Sequence, residues 1–379
     1  MTGTRKKKGR RKMKRKMRQI LSVTLSLAVL LSLTACSTSS SGTAPTAADG
    51  GGTAPAGDTG GGSSGEKVKI SIATTNVDGD PMQDLIYYFQ DQVDEILPGR
   101  VEWVNYTNSS MGSERELGEM VMNGGLDASL QGPSNITAFA PMNAVRLQDV
   151  PFLFKDQDEL YAATNEWYRD MINKECEPYG FTTMFFEYFM GQEIENTKRP
   201  VTTPEDMVGL KIRVYDSPGP YNFVEACGGL PVAMAFSEVY TSLQQGAIDG
   251  TYTTTSSFVA DKLCEVTKYH TKMSITNLGM TLIWNSKSLE SYPQDLRDAL
   301  AKAAKRTEEY CQNVVSPEIK ASVYAEIEAE GVEVNEVSEA DYQRFVEKVE
   351  AYCYDKMRED IGAEVWDQCT QWLEEYRAR

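Results

Sequence analysis

The chain has 379 residues, with 38 Lys and Arg against 55 Asp and Glu, and a formal net charge of −17. This length allows two or more domains with sizeable cores. Of the 38 basic residues, 11 fall within Met1–Arg18, leaving 27 against 55 acids, near −28, in the remainder; so acidic a body argues against nucleic acid or an anionic lipid face as a partner.

Ile20 to Leu33 is an apolar run of 14 residues behind that basic head, short for a membrane span. Basic, apolar and then small residues is the secretory signal pattern. The run closes on Leu33-Thr34-Ala35-Cys36, which resembles a bacterial lipobox. Residues 1–35 are therefore expected as a lipoprotein signal peptide, and Cys36 as the lipidated residue. Two acyl chains would anchor it stably to the outer face of the cell membrane, an extracytoplasmic location. Ser37 to Gly65 is almost entirely Ser, Thr, Gly, Ala and Pro, so residues 36–66 are expected as lipidated Cys and flexible tether.

From Val68 the chain reads as strand (Val68–Ala73), helix from Pro81, strand (Val101–Tyr106), helix near Ser113, and strand (Leu126–Leu130). That order predicts a parallel sheet with right-handed crossovers. Ligands in such sheets sit beyond the C-terminal strand ends, which places Asn76 and Gln131, in the loops after the first and third strands, on the cleft side. Asp156 to Glu177 reads as a helix and Phe181 to Glu187 as a buried strand. Thr203-Pro204-Glu205-Asp206 is a helix start with a cap, Pro at the first position and acids in the first turn. Arg213 interrupts the aliphatic strand Leu210–Val214. A strand buried on both faces holds an Arg only as an ion-pair partner or a ligand clamp. Helices follow over Pro218–Cys227 and Phe236–Gln245, then a strand over Met280–Asn285 and a long helical pattern over Pro293–Glu330. Pro317 should kink that pattern or begin a second helix. Two further helices, over Glu339–Glu359 and Ala363–Tyr376, close the chain.

Catalytic machinery is not legible. The single His, His270, has no acid or nucleophile beside it in sequence, and no phosphate loop, dinucleotide fingerprint or nucleophile elbow occurs. Glu193 and Glu195 could suggest a glycosidase pair. Cys176, Cys227, Cys264, Cys311, Cys353 and Cys369 lack metal-ligand spacing, which leaves up to three disulfides or six buried thiols.

From about Lys67 onward the chain resembles the solute-binding proteins of tripartite ATP-independent periplasmic (TRAP) transporters, of the dicarboxylate-binding (DctP) type. Three segments carry the resemblance, collinear at family spacing: Thr203 to Val214, Gly228-Gly229-Leu230-Pro231-Val232, and Ala235 to Gly250. It implies an α/β, two-domain, periplasmic-binding-protein-like fold with a hinged cleft and a long domain-spanning helix. Residues 67–190 and 279–318 would form domain I; residues 191–278 and 319–379 would form domain II. It implies no enzyme activity and no cofactor. Capture of a small carboxylate and delivery to TRAP membrane subunits, a small four-helix and a large twelve-helix protein, are implied instead. An extracytoplasmic enzyme on this scaffold, or a binding protein serving a membrane sensor, are the alternatives.

The same resemblance puts the carboxylate clamp on Arg213 and a pocket wall on Phe236. Thr253 falls where the family's ligand-contacting Asn usually sits. Many members carry a second basic residue in a Gly-x-Arg segment; here Gly191-Gln192-Glu193 puts Glu193 there. An acid 4 Å from a ligand carboxylate would cost ~4 kcal/mol at an effective dielectric of about 20. The expectation is therefore a monocarboxylate bearing a cationic or hydroxyl group, faced by Glu193 and Asp216 unless the Glu193 loop turns to solvent. Tyr215, Tyr221, Tyr252 and Trp284 either stack on a ligand ring or belong to core and rim.

Overall fold

The computed structural model describes residues 67–189 and 191–379. The signal peptide, Cys36 and the tether lie outside them. The first strands form where alternation predicted: β1 (Val68–Ala73), β2 (Val101–Tyr106) and β3 (Ala128–Gln131). They are followed by β4 (Phe181–Tyr188), β5 (Gln192–Asn196), β6 (Lys211–Val214), β7 (Leu230–Ala233), β8 (Gly250–Thr254), β9 (Tyr269–Thr276), β10 (Gly279–Asn285) and β11 (Glu333–Glu336).

Two mixed sheets result. The first has the order β2-β1-β3-β10-β4, the second β11-β9-β5-β8-β6-β7. In the first, β1 runs parallel to β2 and β3, while β10 is antiparallel to both β3 and β4. The return of Met280–Asn285 to the first sheet is thus realised. In the second, β6 is parallel to β7 and β8, and β5 is antiparallel to β8 and β9. The chain crosses between sheets at β4–β5 and back at β9–β10.

Helix Pro81–Ile96 shows how local chemistry sets the boundaries. Asp80 caps it by accepting a hydrogen bond from the Met82 amide at 2.8 Å, and Pro81 occupies the first turn, where its missing N–H costs nothing. Leu85, Phe89 and Val93 recur on its inner face and are fully buried. Burying each contributes about 1.5–3 kcal/mol. These residues pack against Phe185, Leu282 and Trp284 of the first sheet and Leu296, Leu300 and Ala303 of a later helix.

That later helix runs Gln294–Tyr310, turns through a π segment at Cys311–Val315, and continues over Ser316–Ala329. The π segment places Pro317 on the second turn-start without ending the rod, so one helix packs first on the first lobe and then, through Val323 and Ile327, on the second. The helix expected over Asp156–Glu177 is likewise interrupted by a π segment, Thr164–Tyr168. Helix Ala363–Arg377 packs back on the Gln157–Tyr168 region, with Arg377 bonded to Glu159 at 2.8 Å and Trp372 beside Trp167. All six Cys among the described residues are buried free thiols. No helix among the described residues is long and apolar enough to cross a membrane.

Candidate functional site

Pairing in the second sheet decides which side chains share a face. Arg213 is level with Thr251, Thr251 with Glu195, and Glu195 with His270. Glu193 is level with Thr253 in the next row. Level partners point to one face of a sheet, so one side of this lobe carries a row of polar groups from Arg213 to His270. The other side carries Ile194, Ile212, Val214 and Tyr252 in the apolar core.

Arg213 is 4% exposed. Its Nε donates to the Met234 carbonyl at 3.1 Å and its Nη1 to the Tyr252 carbonyl at 3.4 Å. The Phe236 ring lies with its centroid 5.4 Å from Cζ, a cation–π contact. No carboxylate among the described residues forms an ion pair with it, and Nη2 makes no hydrogen bond among them. Burial lowers its pKa to about 10, against the opposing pull of Tyr215 and of Glu114 from the first lobe. It remains a cation at neutral pH, held by carbonyls and one aromatic face, with its outer edge open.

From the first lobe, Glu114 is the carboxyl whose charge reaches Arg213; Asp80 and Glu187 lie at neighbouring strand ends of that lobe. Glu114 accepts from Thr75 Oγ1 at 3.2 Å, from the Gly132 amide at 3.4 Å and from Asn135 Nδ2. Burial raises its pKa although these bonds and the Arg213 charge lower it. Asp80 is 3% exposed; besides capping its helix it accepts from Asn76 Nδ2 at 3.0 Å. Glu187, at the C-terminal end of β4, is fully buried, and neither carboxyl oxygen has a hydrogen-bond partner among the described residues.

Contact between the lobes is tight at one further point. Asp149, in the segment between β3 and β4, accepts from Tyr215 Oη at 3.0 Å and Ser217 Oγ at 2.8 Å. Burial pushes its carboxyl up to about 6 despite those two bonds. A Cβ at Gly219 would stand 1.7 Å from the Asp149 carbonyl oxygen, so only glycine permits this approach.

The expected site residues divide. Arg213, Phe236 and Thr253 cluster on the second lobe as described. Asn76 and Gln131 lie at the strand ends of the first; Gln131 donates to the Glu114 carbonyl and Ser129 Oγ, each at 2.9 Å. Glu193 is placed differently from the expectation that it faces a ligand. It is 2% exposed and saturated, accepting from Thr255 Oγ1 at 2.9 Å and Tyr324 Oη at 3.0 Å and sharing a hydrogen bond with His270 Nε2 at 2.6 Å. Glu195 lies on the other side of His270, 3.4 Å from Nδ1. Burial first, and the Glu193 charge second, push the Glu195 carboxyl well above the usual range. Glu193 and Glu195 thus bracket an internal His and do not form an open catalytic pair. Asp216 is exposed. Trp284 and Tyr252, considered as stacking platforms, are core residues: Trp284 lies edge-on to Phe89 and Tyr292, and Tyr252 packs between Tyr215 and Phe223 with its hydroxyl on Thr276 at 2.6 Å. Strand parity turns Tyr252 away from the polar face; Trp284 belongs to the other sheet and its core. Glu114 and Glu187 were not singled out from the sequence. The strand-end rule that put Asn76 to Asp80 and Gln131 to Asn135 on the cleft side already spans Asp80, and could have flagged Glu187, which ends its strand on the same side.

A groove of about 510 Å³ lies elsewhere, lined by Arg169, Thr182, Arg297 and Glu308. It sits at the N-terminal end of β4, away from the strand ends that carry Arg213's surroundings.

Comparison with known proteins bears out the resemblance. Residues 72–360 match the family described as bacterial extracellular solute-binding protein, family 7 (DctP). The C4-dicarboxylate-binding periplasmic protein DctP of Rhodobacter capsulatus is 30% identical over 278 residues, 73% of this chain and 82% of that protein. Among solved structures, a TRAP periplasmic solute-binding protein from Chromohalobacter salexigens with bound D-glucuronate is 25% identical and superposes with a TM-score of 0.74 over 80% of this chain and 98% of that one. The sugar-acid-binding protein DctPAm of Advenella mimigardefordensis, in complex with galactonate, gives a TM-score of 0.77 at 18% identity, over 82% of this chain and 99% of that one. The relatives share the two-lobed architecture derived above, and the chain belongs to family 7 of the bacterial extracellular solute-binding proteins.

Proposed function

We propose that this protein is the extracytoplasmic receptor of a TRAP-type secondary transporter. It captures a small organic acid between its lobes, with the ligand carboxylate on Arg213, and delivers it to a small four-helix and a large twelve-helix membrane subunit. Lipidation of Cys36 would hold it at the outer face of the cell membrane, and turnover plays no part in this reading. One observation carries it: a buried guanidinium without a carboxylate partner among the described residues, its Nη2 edge unused, facing the opposite lobe. A planar guanidinium binds a carboxylate through two parallel charge-assisted hydrogen bonds, fixing orientation as well as supplying energy. Phe236 forms the wall beneath, and Thr253 is level with Glu193 in the next row of the same face.

Native mass spectrometry of the purified full-length protein, followed by calorimetry with the acid it releases, tests the reading. Retention of a carboxylic acid that no longer binds Arg213→Ala is the expected result. Equal binding by Arg213→Ala would leave Arg213 a structural residue and remove the proposal. Genes for four-helix and twelve-helix membrane proteins beside this one are expected; a sensor kinase in their place would favour a signalling role.

A further inference from the structure

Both carbonyls that seat Arg213 lean on one short turn. The Met234 carbonyl, which takes the Nε hydrogen, belongs to a residue whose amide donates to the Val214 carbonyl at 3.2 Å. The Tyr252 carbonyl, which takes an Nη1 hydrogen, belongs to a residue whose ring packs on that of Tyr215, centroids 6.1 Å apart. The Ser217 amide then closes back on the Tyr215 carbonyl at 2.8 Å. Where the turn over 214–217 sits therefore decides where the guanidinium sits.

Asp149 holds that turn. It is 3% exposed, and one carboxyl oxygen accepts from the Tyr215 hydroxyl while the other accepts from the Ser217 hydroxyl. A buried carboxylate bonded to hydroxyls alone costs stability, so its place beside the clamp calls for an explanation. Few other charges face it. Arg146, on its own segment, gives an Nη1 hydrogen to the Asp360 carbonyl at 2.8 Å across a small crevice that Asp149 also lines. Glu175 takes the Asn143 and Ala144 amides at the start of the segment. Burial holds the Tyr168 and Tyr252 phenols well above their usual range, and burial with the Asp149 charge does the same to Tyr215. Tyr215 therefore stays a donor while the Asp149 carboxyl changes charge at about pH 6.

We propose that Asp149 is a positioning residue for carboxylate capture: ionised, it draws the Tyr215 and Ser217 hydroxyls onto itself and fixes the turn that seats Arg213. This rests on the capture of an organic acid at Arg213 proposed above and adds a proton-dependent control to it. An ionised carboxyl accepts both O–H groups in charge-assisted bonds, which are roughly twice as strong as neutral ones. A protonated carboxyl carries a hydrogen of its own that must find an acceptor, so one of the two bonds is reversed or given up and the turn loosens. Affinity for an acid is therefore highest above about pH 6 and weakens as the carboxyl takes up its proton. The sign is opposite to that of folding stability, which favours the protonated form because the buried charge is the penalty.

The test uses full-length protein carrying isotope-labelled arginine, unfolded and refolded to strip any retained ligand. The Arg213 Nε–H resonance, assigned by its loss in Arg213→Lys, is followed from pH ~5 to ~8. It should shift with a midpoint of about 6 in the parent and lose that step in Asp149→Asn. Glu114, whose charge also reaches Arg213, is common to both proteins, so the difference isolates Asp149. Calorimetry with D-glucuronate, galactonate and succinate reads affinity over the same range. For each acid that binds, Asp149→Asn should match the parent within about twofold at pH ~5 and bind about five- to tenfold more weakly at pH ~7.5. Tyr215→Phe, which keeps the ring and removes one donor, should show a smaller loss of the same kind. A role confined to folding would move the melting temperature of Asp149→Asn and leave its affinity ratio to the parent at one throughout. Such a flat ratio, or a resonance step that persists in Asp149→Asn, overturns the inference; if none of the three acids binds, the resonance step decides alone. A flat ratio for an acid that Arg213→Ala no longer binds would leave carboxylate capture standing without Asp149. Binding that Arg213→Ala leaves untouched would remove the capture reading itself, and this inference with it.

Discussion

Arg169 and Arg213 are built alike and finished differently. Each guanidinium lies over a Phe ring, at 5.0 Å above Phe186 and 5.4 Å above Phe236. Arg169 is closed by Glu308, its Nη2 2.6 Å from a carboxylate oxygen that also accepts from the Phe186 amide at 2.8 Å. Arg213 has only carbonyls behind it. The acids show the same contrast: Glu193 is saturated by Thr255, His270 and Tyr324, whereas Glu187 is bare. A charge that completes its own partners holds the fold together. A charge left incomplete between two lobes is available to a ligand.

The sharpest way to break this contrast is to remove the open cation. Arg213→Ala should weaken ligand binding by about 3–4 kcal/mol, roughly hundred- to thousand-fold, with little loss of melting temperature; calorimetry and thermal unfolding together decide. A destabilised protein with intact affinity would reverse the roles of the two arginines. Asp149, held across the lobes by hydroxyls alone, comes next. Its carboxyl is raised from 3.8 to about 6, so the folded state binds its proton more tightly than the unfolded chain. That contribution is fully present below pH ~4 and lost as pH rises through about 6. Urea unfolding should therefore show Asp149→Asn gaining on the parent by up to about 3 kcal/mol between pH 4 and 7; a pH-independent difference would mean that Asp149 ionises normally. Arg169→Ala strands Glu308 and should cost about 2–3 kcal/mol of stability, less than a fully buried pair because Arg169 is a quarter exposed, with ligand affinity unchanged. Smallest is Glu193→Gln, expected to cost about 1–2 kcal/mol of stability through its weakened hydrogen bonds and to shift affinity less than about twofold. A large affinity change there would put Glu193 back at the ligand.

Local chemistry made much of the fold legible. Alternation marked β1 and β2 to the residue, and Pro81 marked a helix start. Arg213 stood out because a charge in an aliphatic strand needs a reason, and the family-like spacing around it supplied one. What stayed hidden is non-local. Glu193 meets His270 and Tyr324 across separations of 77 and 131 residues, and no spacing rule reaches that far. His270 consequently read as lacking an acid, although it lies between two. Tyr252 stayed open between stacking and core for a related reason: in a strand, facing core or cleft is a matter of parity, and parity is set by register with partners that the local sequence does not name. The expectation that Glu193 stands against a dicarboxylate loses its residue, because Glu193 is closed internally by Thr255, His270 and Tyr324.

The π segment at Cys311–Val315 gives the long helix a mechanical character. A rod fastened to two bodies must flex when they rotate against each other, and it flexes where its hydrogen-bond ladder is most easily rearranged. Here that point coincides with the strand crossover: the Cys311 sulfur accepts from the Tyr188 amide at 3.2 Å, one residue after Glu187. The helix is thus pinned at mid-length to the end of β4. Any rotation of one lobe on the other would be taken up first at that junction.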